Sequence, residues 1–121
     1  MNKKYLLAAA AMMLAATMSS AAFAHAKLEA STPKANEIVA PAPKEVRLQF
    51  NEPLEMAFSK IKLVDGKGAA IQPLKVAVDK ANAKVMVASL PALTRGAYRV
   101  QWTTLTRDGH KVKGEFSFQV K

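Results

Sequence analysis

Polar and apolar residues alternate along two segments near the C-terminal end of the chain, and no other sequence feature constrains the fold as strongly. The segments are Gly96–Leu105 and Val112–Val120. Successive side chains of a β-strand point to opposite faces, so each segment predicts a strand with one buried face. The residues expected to face a core are Tyr98, Val100, Trp102, Phe116, Phe118 and Val120.

Shorter segments of the same kind precede this pair and are separated by turn residues. We predict strands at Lys27–Ser31, Glu45–Phe50, Phe58–Val64, Ile71–Val78 and Lys84–Leu90. Their core-facing positions are expected at Val46, Leu48, Phe50, Phe58, Ile61 and Leu63. About seven strands at this spacing, with no sustained helical periodicity, predict an all-β fold in the form of an antiparallel β-sandwich.

The segment Leu93–Tyr98 contains a glycine turn at Gly96, followed by a tyrosine that enters a strand. This arrangement resembles the tyrosine corner of Greek-key sandwiches, in which the phenol oxygen bonds to nearby backbone. We therefore interpret Tyr98 and Trp102 as structural residues. The chain has no cysteine, so the sandwich is expected to be Ig-like without a disulfide.

Residues 1–24 have the composition of a secretory signal peptide. Lys3 and Lys4 precede a long apolar run, and the segment ends in Ala22-Phe23-Ala24, an order typical of cleaved leaders. A membrane anchor is the alternative, but the run is shorter than the roughly 20 residues that cross a bilayer. We predict cleavage after Ala24. The domain 25–121 is then expected to be exported and soluble, with no membrane-spanning segment.

The positive charge of the chain raises the question of an anionic partner. Its formal net charge is +9, and removal of Lys3 and Lys4 leaves about +7 on residues 25–121. Such a surplus can indicate binding to nucleic acid or to an anionic membrane. The lysines occur singly, without interleaved aromatic residues. We interpret the charge as a solubility feature and expect no nucleic-acid partner.

The chain contains two histidines, His25 and His110, and cleavage after Ala24 would change the chemistry of the first. His25 would then carry a free α-amine beside its imidazole, so that both nitrogens could chelate one metal ion. His110 follows Asp108 by two residues, a spacing that puts both side chains on one face of an extended chain. Gly109 between them permits a tight or bulged backbone.

Together these residues offer three nitrogen donors and one carboxylate oxygen, provided that the fold brings the N-terminus beside His110. Such donors, without sulfur, suit a tetragonal copper(II) site. Zinc also accepts imidazole and carboxylate, but the Irving–Williams order favours copper(II). Only Met56 and Met86 follow the leader. We interpret Met86 as a core residue and Met56, beside a strand break, as a candidate for exposure, and we expect no copper(I) site.

Short segments spread over the predicted mature domain form a recognisable set. They are His25–Leu28, Ser31–Pro33, Leu48–Pro53, Gly96–Trp102, Asp108–His110 and Gly114–Phe118. This set resembles the CopC family of bacterial periplasmic copper-resistance proteins. The resemblance implies an Ig-like Greek-key β-sandwich or barrel, copper binding in the periplasm and no enzymatic activity.

The same resemblance implies that the copper(II) ligands fall on His25, Asp108 and His110, with one ion per chain. Glu52 corresponds to a position near the metal, where it would accept a hydrogen bond outside the ligand set. Asn51 stands where the family usually has serine. The segment that corresponds to the family's methionine-rich loop, 65–74, holds neither methionine nor histidine, so no copper(I) site is implied.

These features lead to the hypothesis of a monomeric copper(II) carrier or buffer in copper homeostasis and resistance. An inner-membrane copper importer of the CopD type is one possible recipient of the ion. Two alternatives stay open: a periplasmic Ig-like module without metal function, and an oxidative enzyme with the copper brace of lytic polysaccharide monooxygenases. Against the enzyme, Asp108 would occupy a coordination position that oxygen chemistry needs.

Overall fold

The two longest strands of the structure are those that the alternating pattern predicts. In the computed structural model, which describes residues 27–121, strand β8 (Gly96–Leu105) pairs antiparallel with β9 (Lys111–Val120) along ten positions. The predicted leader and His25 lie outside the described residues. This hairpin forms the centre of a five-stranded sheet.

Two β-sheets pack face to face and enclose the core. The earlier strands are β1 (Leu28–Thr32), β2 (Ile38–Val39), β3 (Glu45–Phe50), β4 (Lys60–Asp65), β5 (Ala70–Ile71), β6 (Lys75–Val78) and β7 (Val85–Ser89). One sheet has the order β1-β3-β7-β6 and the other β2-β9-β8-β4-β5. The chain crosses between the sheets after β1, β2, β3, β5 and β7, as in Greek-key sandwiches, and the predicted all-β, Ig-like fold class is confirmed.

The core consists of the inward-facing residues of both sheets. Its buried apolar members include Val46, Leu48, Phe50, Ile61, Leu63, Met86, Val100, Trp102, Phe118 and Val120. Trp102 meets Phe50 edge-on, with ring centroids 6.3 Å apart, and Tyr98 stacks on Phe118 at 5.5 Å. Burial of this apolar surface is the main force that holds the sheets together, since the chain has no cysteine with which to join them.

Tyr98 forms the predicted tyrosine corner. Its hydroxyl donates a hydrogen bond to the backbone carbonyl of Thr94, with 2.5 Å between the oxygens, and its ring is buried. The turn before β8 is thereby tied to the strand that follows it. The prediction for Tyr98 is confirmed, and the buried position of Trp102 agrees with a structural role.

The structure departs from the predicted strands in three places. Phe58 was predicted to face the core, but it is 60% exposed, because a 3₁₀ turn at Met56–Phe58 precedes β4. The predicted strand Ile71–Val78 is split between the two sheets, since Pro73, which has no N–H group, lies in the crossing segment. The short strand β2, parallel to the end of β9, was not predicted.

Within residues 27–121, no helix has the length and apolar character needed to cross a membrane.

The contact between Gly114 and Trp102 leads to a prediction about stability. The two residues are cross-strand partners, and a Cβ atom at position 114 would lie 2.5 Å from Cζ2 of the buried indole. We expect Gly114→Ala to lower the free energy of unfolding by about 1–3 kcal/mol, because the indole would have to shift within a packed core. Urea denaturation followed by the fluorescence of this single tryptophan measures the change.

Gly66→Ala is the matched control for this experiment. A Cβ atom at position 66 would meet nothing closer than the carbonyl oxygen of Ala97, at 3.7 Å, and should cost much less. Equal stability of the Gly114→Ala variant and the unsubstituted protein would contradict the prediction.

Candidate metal centre

The turn between β8 and β9 is closed by hydrogen bonds around Thr106. The backbone N–H of Thr106 donates to the carbonyl of His110 at 2.9 Å, and that of Gly109 donates to the carbonyl of Thr106 at 2.9 Å. Gly109 has a φ of +94°, a conformation that residues with a Cβ atom rarely adopt. The glycine between Asp108 and His110 therefore allows the tight turn that the sequence predicts.

The side chains of Asp108 and His110 are held together at the tip of this turn. Nδ1 of His110 lies 3.1 Å from Oδ1 of Asp108, and both residues are exposed. The Thr106 hydroxyl donates to the same carboxylate oxygen and accepts a hydrogen bond from the backbone N–H of His110 at 3.0 Å. Thr106 is almost completely buried, so it links the exposed pair to the sandwich.

These contacts favour the ionised form of Asp108. The hydrogen bond from Thr106 is the largest of the effects that lower the pKa of Asp108 below 3.8. Partial desolvation opposes the shift, whereas the charge of His110 and its hydrogen bond to Asp108 reinforce it. A carboxylate that loses its proton readily is a suitable ligand for a cation at neutral pH.

The segment that follows β3 brings Glu52 to the same place. The backbone N–H of Arg107 donates to the carbonyl of Pro53 at 3.1 Å, and Leu54 forms an isolated bridge with Thr106. As a result, Glu52, Asp108 and His110 each offer one ligand atom, and these atoms all lie within 4.8 Å of one another. The sequence resemblance implied that Glu52 lies near this pair, and the structure brings the three together.

Glu52 differs from the other two residues in its surroundings. Its Oε2 atom is buried and has no hydrogen-bond partner among the described residues. A buried carboxylate oxygen without a partner is costly, and a second carboxylate close by adds repulsion. A cation, or a hydrogen-bond donor held by that cation, would offset both costs. The chemistry of this group therefore fits a metal ion.

The start of the described chain is fixed beside Glu52. The carboxamide oxygen of Asn51 accepts a hydrogen bond from the backbone N–H of Lys27 at 2.9 Å, and the N–H of Asn51 donates to the carbonyl of Lys27 at 3.2 Å. His25 precedes Lys27 by two residues and lies outside the described range. Two extended residues span roughly 7 Å, a reach comparable with the size of the cluster.

The two methionines after the leader have different environments. Met86 is fully buried in the core, as expected. Met56 is 55% exposed in the turn that follows Glu52. The sequence interpretation overlooked Thr106, which lies at the end of a long strand and shows its role only through its hydroxyl contacts.

Comparison with known proteins identifies relatives over nearly the whole described range. A model of the CopC domain matches residues 28–121. Copper resistance protein C of Xanthomonas campestris pv. juglandis is 38% identical over 122 aligned positions, which cover 95% of this chain and 95% of that protein. Copper transport protein CutJ of Bacillus subtilis (strain 168) is 34% identical over 99 residues. That match covers 81% of this chain but spans only 18% of the relative.

Solved structures agree with these matches. CopC from Methylosinus trichosporium OB3b superimposes with a TM-score of 0.75 at 31% sequence identity, covering 80% of this chain and 94% of that one. The methionine-rich copper resistance protein PcoC from Escherichia coli gives a TM-score of 0.70 at 36% identity, covering 81% of this chain and all of that one.

The hydrogen bond from Thr106 to Asp108 can be tested by titration. Thr106→Val removes the hydroxyl but preserves the shape of the side chain, so we expect the pKa of Asp108 to rise. In the unsubstituted protein, the lowered pKa contributes stability that is present above the ordinary carboxyl value and is lost as the pH falls below it. Carboxyl-carbon nuclear magnetic resonance measures the pKa directly. Thr106→Ser keeps the hydroxyl and should leave the pKa low; equal values in all three proteins would contradict the assignment.

Proposed function

The chain belongs to the CopC family, and on that premise we propose that it is a periplasmic copper(II) carrier. The observation that carries the proposal is the convergence of Glu52, Asp108 and His110 beside the anchored start of the chain. The proposed ligands are the imidazole and α-amine of His25, the imidazole of His110 and a carboxylate oxygen of Asp108. Three nitrogens and one oxygen suit the tetragonal geometry of copper(II).

The amine ligand depends on export and processing. In this proposal, residues 1–24 direct the chain to the periplasm, and cleavage after Ala24 frees the amine. The two hydrogen bonds between Asn51 and Lys27 support this proposal, because they hold Lys27, two residues after His25, beside the residue that precedes Glu52. Glu52 then accepts a hydrogen bond from a group around the ion rather than binding the ion itself.

Capture and release of the ion, rather than chemistry on it, is the proposed activity. As a ligand, Asp108 would take up a coordination position that an oxygen-activating copper site needs open. The Bacillus relative is named a copper transport protein and is much longer than this chain. We therefore propose that the monomeric carrier, with one copper(II) ion per chain, passes its ion to a membrane transporter of the CopD type and so serves copper homeostasis and resistance.

The role of His110 can be tested with copper(II) added to the chain that begins at His25. We expect electron paramagnetic resonance to report one ion with mainly nitrogen in its equatorial plane. His110→Ala should weaken binding by more than the roughly 10-fold that loss of a residue outside the ligand set costs, because it removes a ligand itself. It should leave the fold intact, because His110 is exposed.

Arg107→Ala, at another exposed position in the same turn, is the control and should retain nitrogen coordination. Unchanged affinity in His110→Ala would overturn the ligand assignment.

The amine ligand requires a separate experiment. A chain that begins at Ala24 instead of His25 retains every side chain of the site but displaces the free amine by one residue. We expect about 10-fold or greater loss of copper(II) affinity, since an internal histidine has an amide nitrogen in place of the amine. Competition with a chelator of known affinity measures the loss. Equal affinity of the two chains, with equal thermal stability, would exclude the amine as a ligand.

A further inference from the structure

Lysines that are scattered along the sequence are gathered by the sheet onto one face. Lys60 and Lys62 on β4 are exposed, and so are Lys111 and Lys113 on β9. The register pairs Lys60 with Thr103 and Thr103 with Lys113, so the two lysines flank one position of β8. Their backbone positions are separated by two strand spacings, roughly 10 Å. We call these four residues the lysine face.

The lysine face begins at the candidate metal centre. Lys111 follows His110 directly and pairs with the last residue of β8. Within the described range, none of the four lysines forms an ion pair. The nearest acidic residue in the register, Glu115, contacts Arg99 at 3.5 Å. No carboxylate of residues 27–121 is therefore paired directly with these lysines.

A groove gives the lysine face a shape that can accept a chain. It has a volume of about 930 Å³, and its lining includes three lysines (Lys60, Lys62 and Lys113) and one acidic residue, Glu115, whose charge is paired with Arg99. Residues two apart on a strand are separated by roughly 7 Å, as are alternate side chains of any extended peptide. An extended segment with acidic residues at alternate positions therefore matches the spacing of Lys60 and Lys62.

The position of these lysines is unfavourable for capture of a cation. Positive side chains beside a site for a doubly charged ion repel that ion, so the lysine face does not serve the site itself. Solubility requires charge on the surface but does not require four lysines on one face, with Lys111 directly after the ligand His110. Their placement is explained if a negatively charged partner approaches the loaded site.

We infer that the lysine face docks an acidic, extended polypeptide segment of the protein that receives the copper ion. The inference rests on the proposed function, because it assigns a partner to the same site. Exposed Phe58 and Met56 lie in the turn just before Lys60, and apolar side chains of these types are enriched in protein interfaces. The docked segment would lie beside His110 and Asp108, where an exchange of ligands can begin.

The test uses a short, fluorescein-labelled peptide of alternating glutamate and serine as the probe. Fluorescence anisotropy at low ionic strength measures its binding to the metal-free chain that begins at His25. We expect Lys60→Gln with Lys113→Gln to weaken binding about three- to tenfold, because two attractive charges are removed. A peptide with glutamine in place of glutamate should bind weakly to every variant.

The control variant combines Lys34→Gln with Lys44→Gln. Both lysines are exposed, neither lines the groove or adjoins a residue that does, and their removal changes the net charge equally. Equal weakening in the two double variants would overturn the inference, because the peptide would then respond only to net charge.

A second experiment measures sedimentation with phosphatidylcholine vesicles that contain about one third phosphatidylglycerol. If Lys60→Gln with Lys113→Gln loses vesicle binding but keeps peptide binding, the inference is overturned in favour of a membrane surface as the partner.

Copper binding is measured separately on the same variants by electron paramagnetic resonance. The peptide assay contains no metal, so its result is independent of copper binding. Failure of every variant to bind copper would rule out the proposed function and leave the peptide result unchanged. Normal copper binding together with absent peptide binding in the unsubstituted protein would remove the docking surface and leave the carrier function.

Discussion

The antiparallel ladder between β8 and β9 is the interaction on which the rest of the structure depends. Its ten pairs give the five-stranded sheet its length, and its inward side supplies much of the core. The ladder stays regular where the largest side chain is packed, because Gly114 leaves space for the indole of Trp102. A rigid hairpin of this kind also holds its own turn in place, and that turn carries Asp108 and His110.

One hydroxyl group links the turn to the buried interior and holds the turn in place. Thr106 belongs to the buried layer, yet its side chain binds both the carboxylate of Asp108 and the backbone of His110. Glu52 arrives from a different sheet through backbone contacts of Pro53 and Leu54 with the same turn. The packing of the sandwich thus brings the acidic and imidazole groups of the candidate centre together from two sheets.

The sequence predicted those parts of the structure that depend on local alternation. The bounds of β8 are as predicted, and β9 begins only one residue earlier, because long strands with one buried face have an unambiguous pattern. Phe58 was misplaced because the N–H groups of Phe58 and Ser59 donate turn hydrogen bonds to the carbonyls of Glu55 and Met56, which override the alternation. The split between β5 and β6 depends on which sheet each short strand joins, and that is a long-range property.

The same distinction applies to the site. Asp108 and His110 are neighbours in sequence, so their proximity could be predicted, whereas the approach of Glu52 was implied only by a family resemblance. The lysine face was not visible in the sequence, since its four residues come together only through the register of three strands. The position of His25 stays a prediction, supported by the attachment of Lys27 to Asn51.

The attachment of Lys27 has a mechanical consequence. β1 is an edge strand of the four-stranded sheet, whereas the turn that holds Asp108 and His110 belongs to the five-stranded sheet. An ion bound by His25 and by this turn would close a loop containing most of the domain, and it would fasten one layer to the other. In a chain without cysteine, the cargo would then act as a removable cross-link. Binding of the ion would hold the edge strand β1 in its sheet, and delivery of the ion would leave β1 free to separate from it.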